Sequence, residues 1–180
     1  MALWNLEPVT AEPRLHRRQP RYLLTAVCGL LLTLAGDQLT KAWIVSLLEP
    51  PRQRTLDLLP PVVNVRIAWN TGINFGLGHG LGESARWALV ALAAVCAALA
   101  LGYARRVNGH LPAIGLGLFA GGAIGNAIDR IRWGAVVDFL NVTCCGLYNP
   151  WSFNVADAGI FVGLAIFALA PSRRGDDGWR

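Results

Sequence analysis

The chain is organised around residues Gly121 to Asp157, which read GGAIGNAIDRIRWGAVVDFLNVTCCGLYNPWSFNVAD. It contains three carboxylates, those of Asp129, Asp138 and Asp157, and each lies beside strongly apolar sequence. An ionisable side chain next to a membrane segment is costly to bury and therefore usually marks a functional site. These three aspartates are the first candidates for chemistry.

The composition around this stretch indicates a membrane protein. Of the 180 residues, 54% are hydrophobic and only 15% are charged, whereas a soluble domain has nearer a quarter charged residues. The apolar residues form long runs that predict four helices, at 22–48, 87–103, 113–128 and 153–170. The first run is interrupted by the polar segment GDQLTK at 36–41. We therefore expect an α-helical polytopic membrane protein with four transmembrane helices.

Two segments outside these helices predict strands. Val63, Val65, Ile67 and Trp69 alternate with more polar residues, and this period of two is typical of a half-buried strand. Residues 134–140 are short and rich in β-branched side chains, which favours a second strand. The two are expected to pair in a small sheet.

Basic residues predict the orientation of the chain. They cluster beside the ends of apolar runs, at Arg14, Arg17, Arg18, Arg21, Arg105, Arg106, Arg173 and Arg174. Such clusters are topology signals that favour the cytoplasmic side, so a nucleic-acid partner is not expected.

A cleaved secretory signal is the alternative for the first run, but no A-x-A site is present and apolar sequence resumes after Lys41. We expect basic cytoplasmic tails at 1–21 and 171–180, one membrane domain at 22–170, and carboxylates near the outer face.

Neither a metal nor a cofactor is expected. His16, His79 and His110 are isolated from one another, so no set has metal-ligand spacing. The adjacent Cys144 and Cys145 could bond to each other or stay free.

The carboxylates themselves offer chemistry. Two aspartates held close together cannot both ionise, so they share one proton. One can then activate a water molecule while the other protonates a leaving amine. Apolar surroundings favour Asp138 with Asp157 over pairs that include Asp129, whose neighbours Asn126 and Arg130 keep it ionised. The alternative for each is a helix cap or a structural ion pair.

Two further polar positions allow two interpretations each. Asp37 and Lys41 are four residues apart and can form an ion pair on one helix face, or they can face a substrate. Asn70 can form a turn with its own backbone, or its amide can bind a ligand.

Five segments, in order and in register, resemble the lipoprotein signal peptidase (signal peptidase II) family. The resemblance spans about Asp37 to Gly163, and its segments are DQLTK at 37–41, WNTG at 69–72 with Phe75, GGAIGN at 121–126 with Asp129 and Arg130, VVDF at 136–139 and FNVAD at 153–157.

The resemblance implies an aspartic endopeptidase of the bacterial inner membrane. Its substrates would be diacylglyceryl-modified prolipoproteins, cut on the amino side of the lipidated cysteine without a cofactor. The family's catalytic pair falls on Asp138 and Asp157, and its fold implies a small extracytoplasmic sheet that cradles the substrate. We expect a monomer in contact with membrane lipid. The family's supporting residues fall on Asp37, Lys41, Asn70, Asn126, Asp129, Arg130 and Asn154.

The expected substrate is itself a membrane helix and should enter sideways from the bilayer. Gly122 lies on the glycine-rich third helix and could admit its close approach. On this hypothesis, replacing Gly122 with leucine impairs cleavage and leaves the protein folded. The sequence departs from the family at Ile73–Asn74, at Cys144–Cys145 and in its long basic tail.

Two other classes of function compete with a peptidase. A small transporter or channel would use carboxylates as an ion path through the depth of the bilayer, whereas here they gather at one edge. A structural assembly factor would use them only in pairs with basic residues.

Overall fold

The computed structural model describes residues 20–48, 55–72, 82–143 and 149–171. The expectations for Ile73–Asn74, Cys144–Cys145 and the two basic tails beyond this range lie outside the described residues.

Four helices make up most of this part of the chain. Three of them are long and apolar enough to cross a membrane, and the fourth is a shorter apolar helix of 15 residues. The four predicted helices are confirmed, although α1 continues through the polar segment at 36–41 that interrupts its apolar sequence. Their bounds are α1 Pro20–Leu48, α2 Gly82–Ala104, α3 His110–Trp133 and α4 Val155–Leu169.

Helix α3 extends beyond its predicted end at residue 128. It ends at Gly134, which has the left-handed φ of 75° that favours glycine, and whose N–H donates to the carbonyl of Arg130 at 3.1 Å. Because this turn is tight, the chain passes from α3 into the next strand within three residues.

A three-stranded antiparallel sheet lies beside the end of α3. Its strands are β1 Leu56–Leu59, β2 Val63–Asn70 and β3 Val136–Val142, in the order β1-β2-β3. The predicted pair of strands is confirmed as β2 with β3, where Ala68 lies opposite Asp138. Strand β1 was not predicted. On the other side of β3, Phe153 forms an isolated bridge with Leu140, which brings the start of α4 against the sheet.

Helix α3 lies at the centre of the bundle and contacts α1, α2 and α4. Its small residues let the neighbouring backbones approach closely: a Cβ at Gly117 or Gly121 would collide with α1, and one at Gly115 would collide with α4. The buried helix core is accordingly made largely of alanine, with Ala26, Ala113 and Ala120 fully enclosed.

Gly122 belongs to this set of contacts. A Cβ there would collide with the carbonyl of Ala156 in α4. This contact argues against the expectation that leucine at position 122 leaves the protein folded, because the space that the sequence assigned to a substrate helix is occupied by α4.

The outer faces of the helices are apolar. Large side chains project outward from all four helices, among them Leu32, Leu99, Leu111, Phe161 and Leu169. A helix bundle with this exterior requires a lipid environment. The chain is a multi-pass membrane protein.

The glycine contacts generate a first prediction. Gly117→Ala adds one methyl group where the backbone of Ala26 already lies, so we expect about 1–3 kcal/mol of destabilisation from overpacking. Gly102→Ala is the matched control, since a Cβ at Gly102 has nothing within 4 Å. Thermal unfolding in detergent micelles measures both. Equal unfolding temperatures for the two variants would contradict the close contact of α3 with α1.

Candidate active site

Asp138 and Asp157 come together at one end of the bundle, where β3 meets the start of α4. Each is 3% exposed. Asn154 connects them, because its Nδ2 donates to Oδ1 of Asp138 at 2.6 Å and its backbone N–H donates to Oδ2 of Asp157 at 3.3 Å. Two carboxylates bound by one residue lie close enough for their charges to interact.

The start of α4 fixes the orientation of Asp157. Oδ1 of Asn154 accepts from the backbone N–H of Asp157 at 2.8 Å, and the Asp157 carboxylate accepts from the backbone of Asn154 in return. This reciprocal capping box satisfies two N–H groups that a helix start otherwise leaves unpaired. Asp157 therefore has the helix-cap role that was its alternative interpretation, and it contacts the same residue as Asp138 while doing so.

Asn126 holds the other oxygen of Asp157. Its Nδ2 donates to Oδ1 of Asp157 at 2.9 Å, while its Oδ1 accepts from Asn154 at 3.1 Å and from Lys41 Nζ at 3.2 Å. Since Lys41 and Asn154 both donate to the amide oxygen, the amide nitrogen must face Asp157.

Asn70 forms the turn that was one of its two interpretations, and its amide also contacts Asp138. Its Oδ1 accepts from the N–H of Gly72 at 3.1 Å and forms a turn after β2. Its Nδ2 donates to Oδ2 of Asp138 at 3.1 Å. Each oxygen of Asp138 thus accepts from an amide nitrogen.

Lys41 lies beneath this pair and joins two further carboxylates. Its ammonium is 2.8 Å from Oδ2 of Asp37 and 2.7 Å from Oδ2 of Asp129, and all three side chains are almost fully enclosed. Of the two interpretations left open for Asp37 and Lys41, the structure shows the ion pair. The neighbours Asn126 and Arg130 were expected to be the partners of Asp129. The carboxylate forms its ion pair with Lys41 instead, and Arg130 acts on it through its charge.

The two carboxylates bound by Lys41 also hold the backbone beside the aspartate pair. Oδ1 of Asp37 accepts from the N–H of Ala156 at 2.9 Å, and Oδ2 of Asp129 accepts from the N–H of Val137 at 3.2 Å. Ala156 and Val137 directly precede Asp157 and Asp138. One ammonium group is therefore linked, through two carboxylates, to the backbone on both sides of the site.

Sequence reasoning missed Gln38 as a member of this cluster. Its Nε2 lies 3.0 Å from Oδ1 of Asp129 and 3.2 Å from Oδ2 of Asp37. The signal was present, since Gln38 is a polar residue within a helix and lies between Asp37 and Lys41. A long neutral side chain can equally well face solvent, so the sequence did not indicate that Gln38 belongs to the site.

Arg130 ties the turn after β2 to α3. It donates to the carbonyl of Gly72 at 2.8 Å and to that of Asn126 at 3.3 Å. Its positive charge also acts on Asp129, Asp138 and Asp157. The nine polar residues that the sequence analysis proposed for the site are thus brought together here, and Gly122 lies in the adjacent contact between α3 and α4.

The electrostatics distinguish Asp138 in particular. Burial raises the pKa of its carboxyl from the ordinary value of 3.8 to about 7, and the negative charge of Asp157 adds to the rise. Hydrogen bonds from Asn70 and Asn154 oppose it. At neutral pH the carboxyl of Asp138 is poised to hold or release a proton.

Across the described residues, no group of three or more His, Cys, Asp or Glu side chains is arranged to hold a metal ion. The four aspartates of the site instead find amide nitrogens, backbone N–H groups and one ammonium group.

The fold and the site together define a multi-pass membrane protein with a buried pair of aspartates at one end of its helix bundle. A family model described as signal peptidase (SPase) II matches residues 29–171. The chain belongs to the signal peptidase II family.

Individual relatives agree with this membership. The lipoprotein signal peptidase of Methylobacterium sp. (strain 4-46) is 36% identical over 163 residues, which cover 89% of this chain and 98% of that protein. That of Rhodopseudomonas palustris (strain ATCC BAA-98 / CGA009) is 44% identical over 139 residues, which cover 75% and 84%. A bacterial membrane enzyme solved by the in meso method superimposes with a TM-score of 0.66 over 86% of this chain and 90% of that one. Its sequence identity is 22%, so this likeness shows the fold alone.

The position of Lys41 generates a second prediction. Lys41→Met leaves the buried carboxylates of Asp37 and Asp129 without their shared cation, and we expect a loss of about 3–5 kcal/mol. Arg132→Met removes the same charge from an exposed position at the end of α3 and is the control. Chemical or thermal unfolding in micelles measures both. A Lys41→Met variant as stable as the control would contradict the role assigned to this ion cluster.

The raised pKa of Asp138 generates a third prediction. The folded protein binds this proton more tightly than the unfolded chain, so this carboxyl contributes stability that is fully present below about pH 4 and lost as the pH rises through about 7. The unfolding temperature of the wild type should therefore fall across that window relative to Asp138→Asn, which lacks the carboxyl.

The comparison with Asp138→Asn isolates this one group from other titrating residues. Asp57→Asn, at an exposed position in β1, is the control and should follow the wild type at every pH. Parallel curves for the wild type and Asp138→Asn would rule out a raised pKa.

Proposed function

We propose that this protein is an aspartic endopeptidase that removes signal peptides from diacylglyceryl-modified prolipoproteins, with Asp138 and Asp157 as its catalytic pair. Membership of the signal peptidase II family makes it a protease that processes lipoproteins, and relatives carry the name lipoprotein signal peptidase. The observation that carries the aspartic mechanism is the pair of buried carboxylates bound by the one side chain and backbone of Asn154.

The pair divides into an acid and a base. Asp157 lies in the first turn of α4, where the helix dipole stabilises negative charge, so it carries the charge of the pair. Asp138, with its pKa raised to about 7, holds the proton. With this assignment, Asp157 can accept a proton and Asp138 can donate one at neutral pH.

Hydrolysis then needs only these two groups and water. The carboxylate of Asp157 takes a proton from a water molecule as its oxygen bonds to the carbonyl carbon of the scissile peptide. Asp138 donates its proton towards the carbonyl oxygen, which develops negative charge. When the C–N bond breaks, the proton held by Asp157 passes to the leaving nitrogen, and one hydroxyl of the tetrahedral intermediate returns its proton to Asp138, which regenerates the pair. The products are a carboxylic acid on the signal peptide, which then ionises in water, and the free amine of the lipidated cysteine.

The remaining polar residues orient this pair. Asn70, Asn126 and Asn154 present amide nitrogens to three of its four oxygens, which keeps those oxygens from rotating away. Lys41, Asp37 and Asp129 hold the backbone from which the pair projects. Arg130 secures the turn after β2, next to the residue that contacts Asp138.

The same cluster argues against an ion path. The buried charged side chains of the described residues gather at one end of the bundle, whereas a path would need them along its depth. Each of them also already has partners within the cluster. A transporter or channel therefore has less support than a peptidase.

The proposed orientation puts the site at the outer face of the inner membrane. Arg21, Arg105 and Arg106 mark the opposite end of the bundle, and basic residues favour the cytoplasm. Both termini would then be cytoplasmic, and residues 22–170 would act as one peptidase domain in a monomer. The sheet would face outward beside the pair, where it could cradle the peptide that precedes the lipidated cysteine.

The proposed function generates a fourth prediction. Asp138→Asn and Asp157→Asn should each lower the cleavage of a diacylglyceryl-modified prolipoprotein by about a thousandfold or more, because neither the acid nor the base can act alone. The purified protein is assayed in micelles with a metal chelator present, and gel mobility reports the released signal peptide.

Asp57→Asn is again the control, since it removes an exposed carboxylate away from the pair. Unfolding temperatures must show that all three variants are folded. Substantial activity in either pair variant would overturn the assignment, and loss of wild-type activity with chelator would overturn a metal-free mechanism.

A further inference from the structure

A polar cavity lies at the end of the bundle opposite the aspartates. It has a volume of about 600 Å³ and forms where the start of α1, the turn before α3 and the end of α4 converge. Arg21 and Asp37 are 16 residues apart along α1, which corresponds to about 24 Å of helix. The cavity is therefore separate from the proposed active site. Among its lining residues are Arg21, Tyr22, Asn108, Gly109, His110 and Pro171.

The polar groups of this cavity are held in place by one another. The guanidinium of Arg21 lies 4.8 Å from the centre of the Tyr22 ring, and its Nη2 donates to the Tyr22 hydroxyl at 3.0 Å. Tyr22 in turn contacts the His110 ring edge to face, with centroids 5.1 Å apart. Thr25 bonds Nδ1 of His110 at 2.7 Å. The cavity wall is thus organised before any ligand arrives.

The charge of the lining favours an anion. Arginine has five N–H donors, and within the described residues Tyr22 accepts from one nitrogen of Arg21. No aspartate or glutamate lies among the described lining residues. The first turn of α3 adds to the effect, because it contains no acidic residue and its N-cap, Gly109, offers no side-chain acceptor to its N–H groups.

The surroundings favour an anion that belongs to a lipid. The cavity lies at the ends of helices that are long and apolar enough to cross a membrane, and lipid headgroups surround the ends of such helices. Its wall also includes apolar residues. Leu111 is 53% exposed there and adjoins Pro112. A ligand with a phosphate group and acyl chains can contact the polar and the apolar parts at once. We propose that this cavity binds the headgroup phosphate of an anionic phospholipid.

Binding to the full chain tests this proposal without any measurement of proteolysis, so its outcome is independent of the proposed function. The probes are phosphatidylglycerol, zwitterionic phosphatidylcholine and inorganic phosphate, each titrated against the detergent-solubilised protein and counted by native mass spectrometry. We expect one phosphatidylglycerol to bind at least about tenfold more tightly than phosphatidylcholine. Equal binding of the two lipids would overturn the proposal, and inorganic phosphate that binds as tightly as phosphatidylglycerol would assign the site to a free anion.

A matched pair of variants separates a specific site from general attraction. Arg21→Gln should weaken phosphatidylglycerol binding about tenfold, since it removes the guanidinium from the cavity wall. Arg105→Gln removes the same charge from the same end of the bundle but from outside this cavity, and should change binding by less than about twofold. Both positions are exposed, so both variants should fold. Equal losses would show diffuse attraction to basic residues and overturn the proposal.

A third variant tests whether the chain fills the cavity itself. The sequence after Pro171 contains Asp176 and Asp177, and their carboxylates are also anions. Asp176→Asn combined with Asp177→Asn should leave phosphatidylglycerol binding unchanged. Binding that occurs only in this variant would assign the cavity to these carboxylates and contradict a lipid site.

Discussion

The ammonium group of Lys41 lies between two buried carboxylates, and the geometry of the whole site depends on it. A lone charge in such an enclosed position would be strongly unfavourable, and so would either carboxylate without the cation. Lys41 reaches Asp37, Asp129 and the amide oxygen of Asn126, which uses its three donors. The two carboxylates then hold the backbone N–H groups that precede Asp157 and Asp138. The spacing of the aspartate pair is therefore set by an ion cluster that need not touch a substrate.

The aspartate and asparagine side chains of the site are short, so they can meet only if the backbones that carry them are close. The contacts of α3 provide this closeness, since Gly117 and Gly121 lie against α1 and Gly122 lies against α4. The same helix positions Asn126 and Asp129 one to two turns further along, where α1 offers Lys41 and α4 offers Asp157. A methyl group added at any of these contacts would increase the separation of the helices and so change the distances between the side chains of the site.

The sequence predicted those parts of the molecule that have a local signal. Long apolar runs predicted the four helices, the alternation at Val63 to Trp69 predicted β2, and apolar neighbours singled out Asp138 and Asp157. Strand β1 was missed because it is four residues long, mostly exposed, and stabilised by its pairing with β2. The ion pair of Asp129 with Lys41 and the contact of Gln38 were missed because both depend on the register of α1 against α3. The glycine at position 122 correctly indicated a close helix contact, but the sequence could not show whether α4 or a substrate helix forms that contact.

The catalytic assignment rests on one physical claim, that the two aspartates share a single proton near neutral pH. Infrared spectroscopy of protein with isotope-labelled aspartate reports protonated carboxyl groups directly. We expect a protonated aspartic carboxyl that persists until the pH reaches about 7 and whose signal is lost in Asp138→Asn. Full ionisation of every aspartate well below that pH, or a neutral-carboxyl signal that is unchanged in Asp138→Asn, would contradict it.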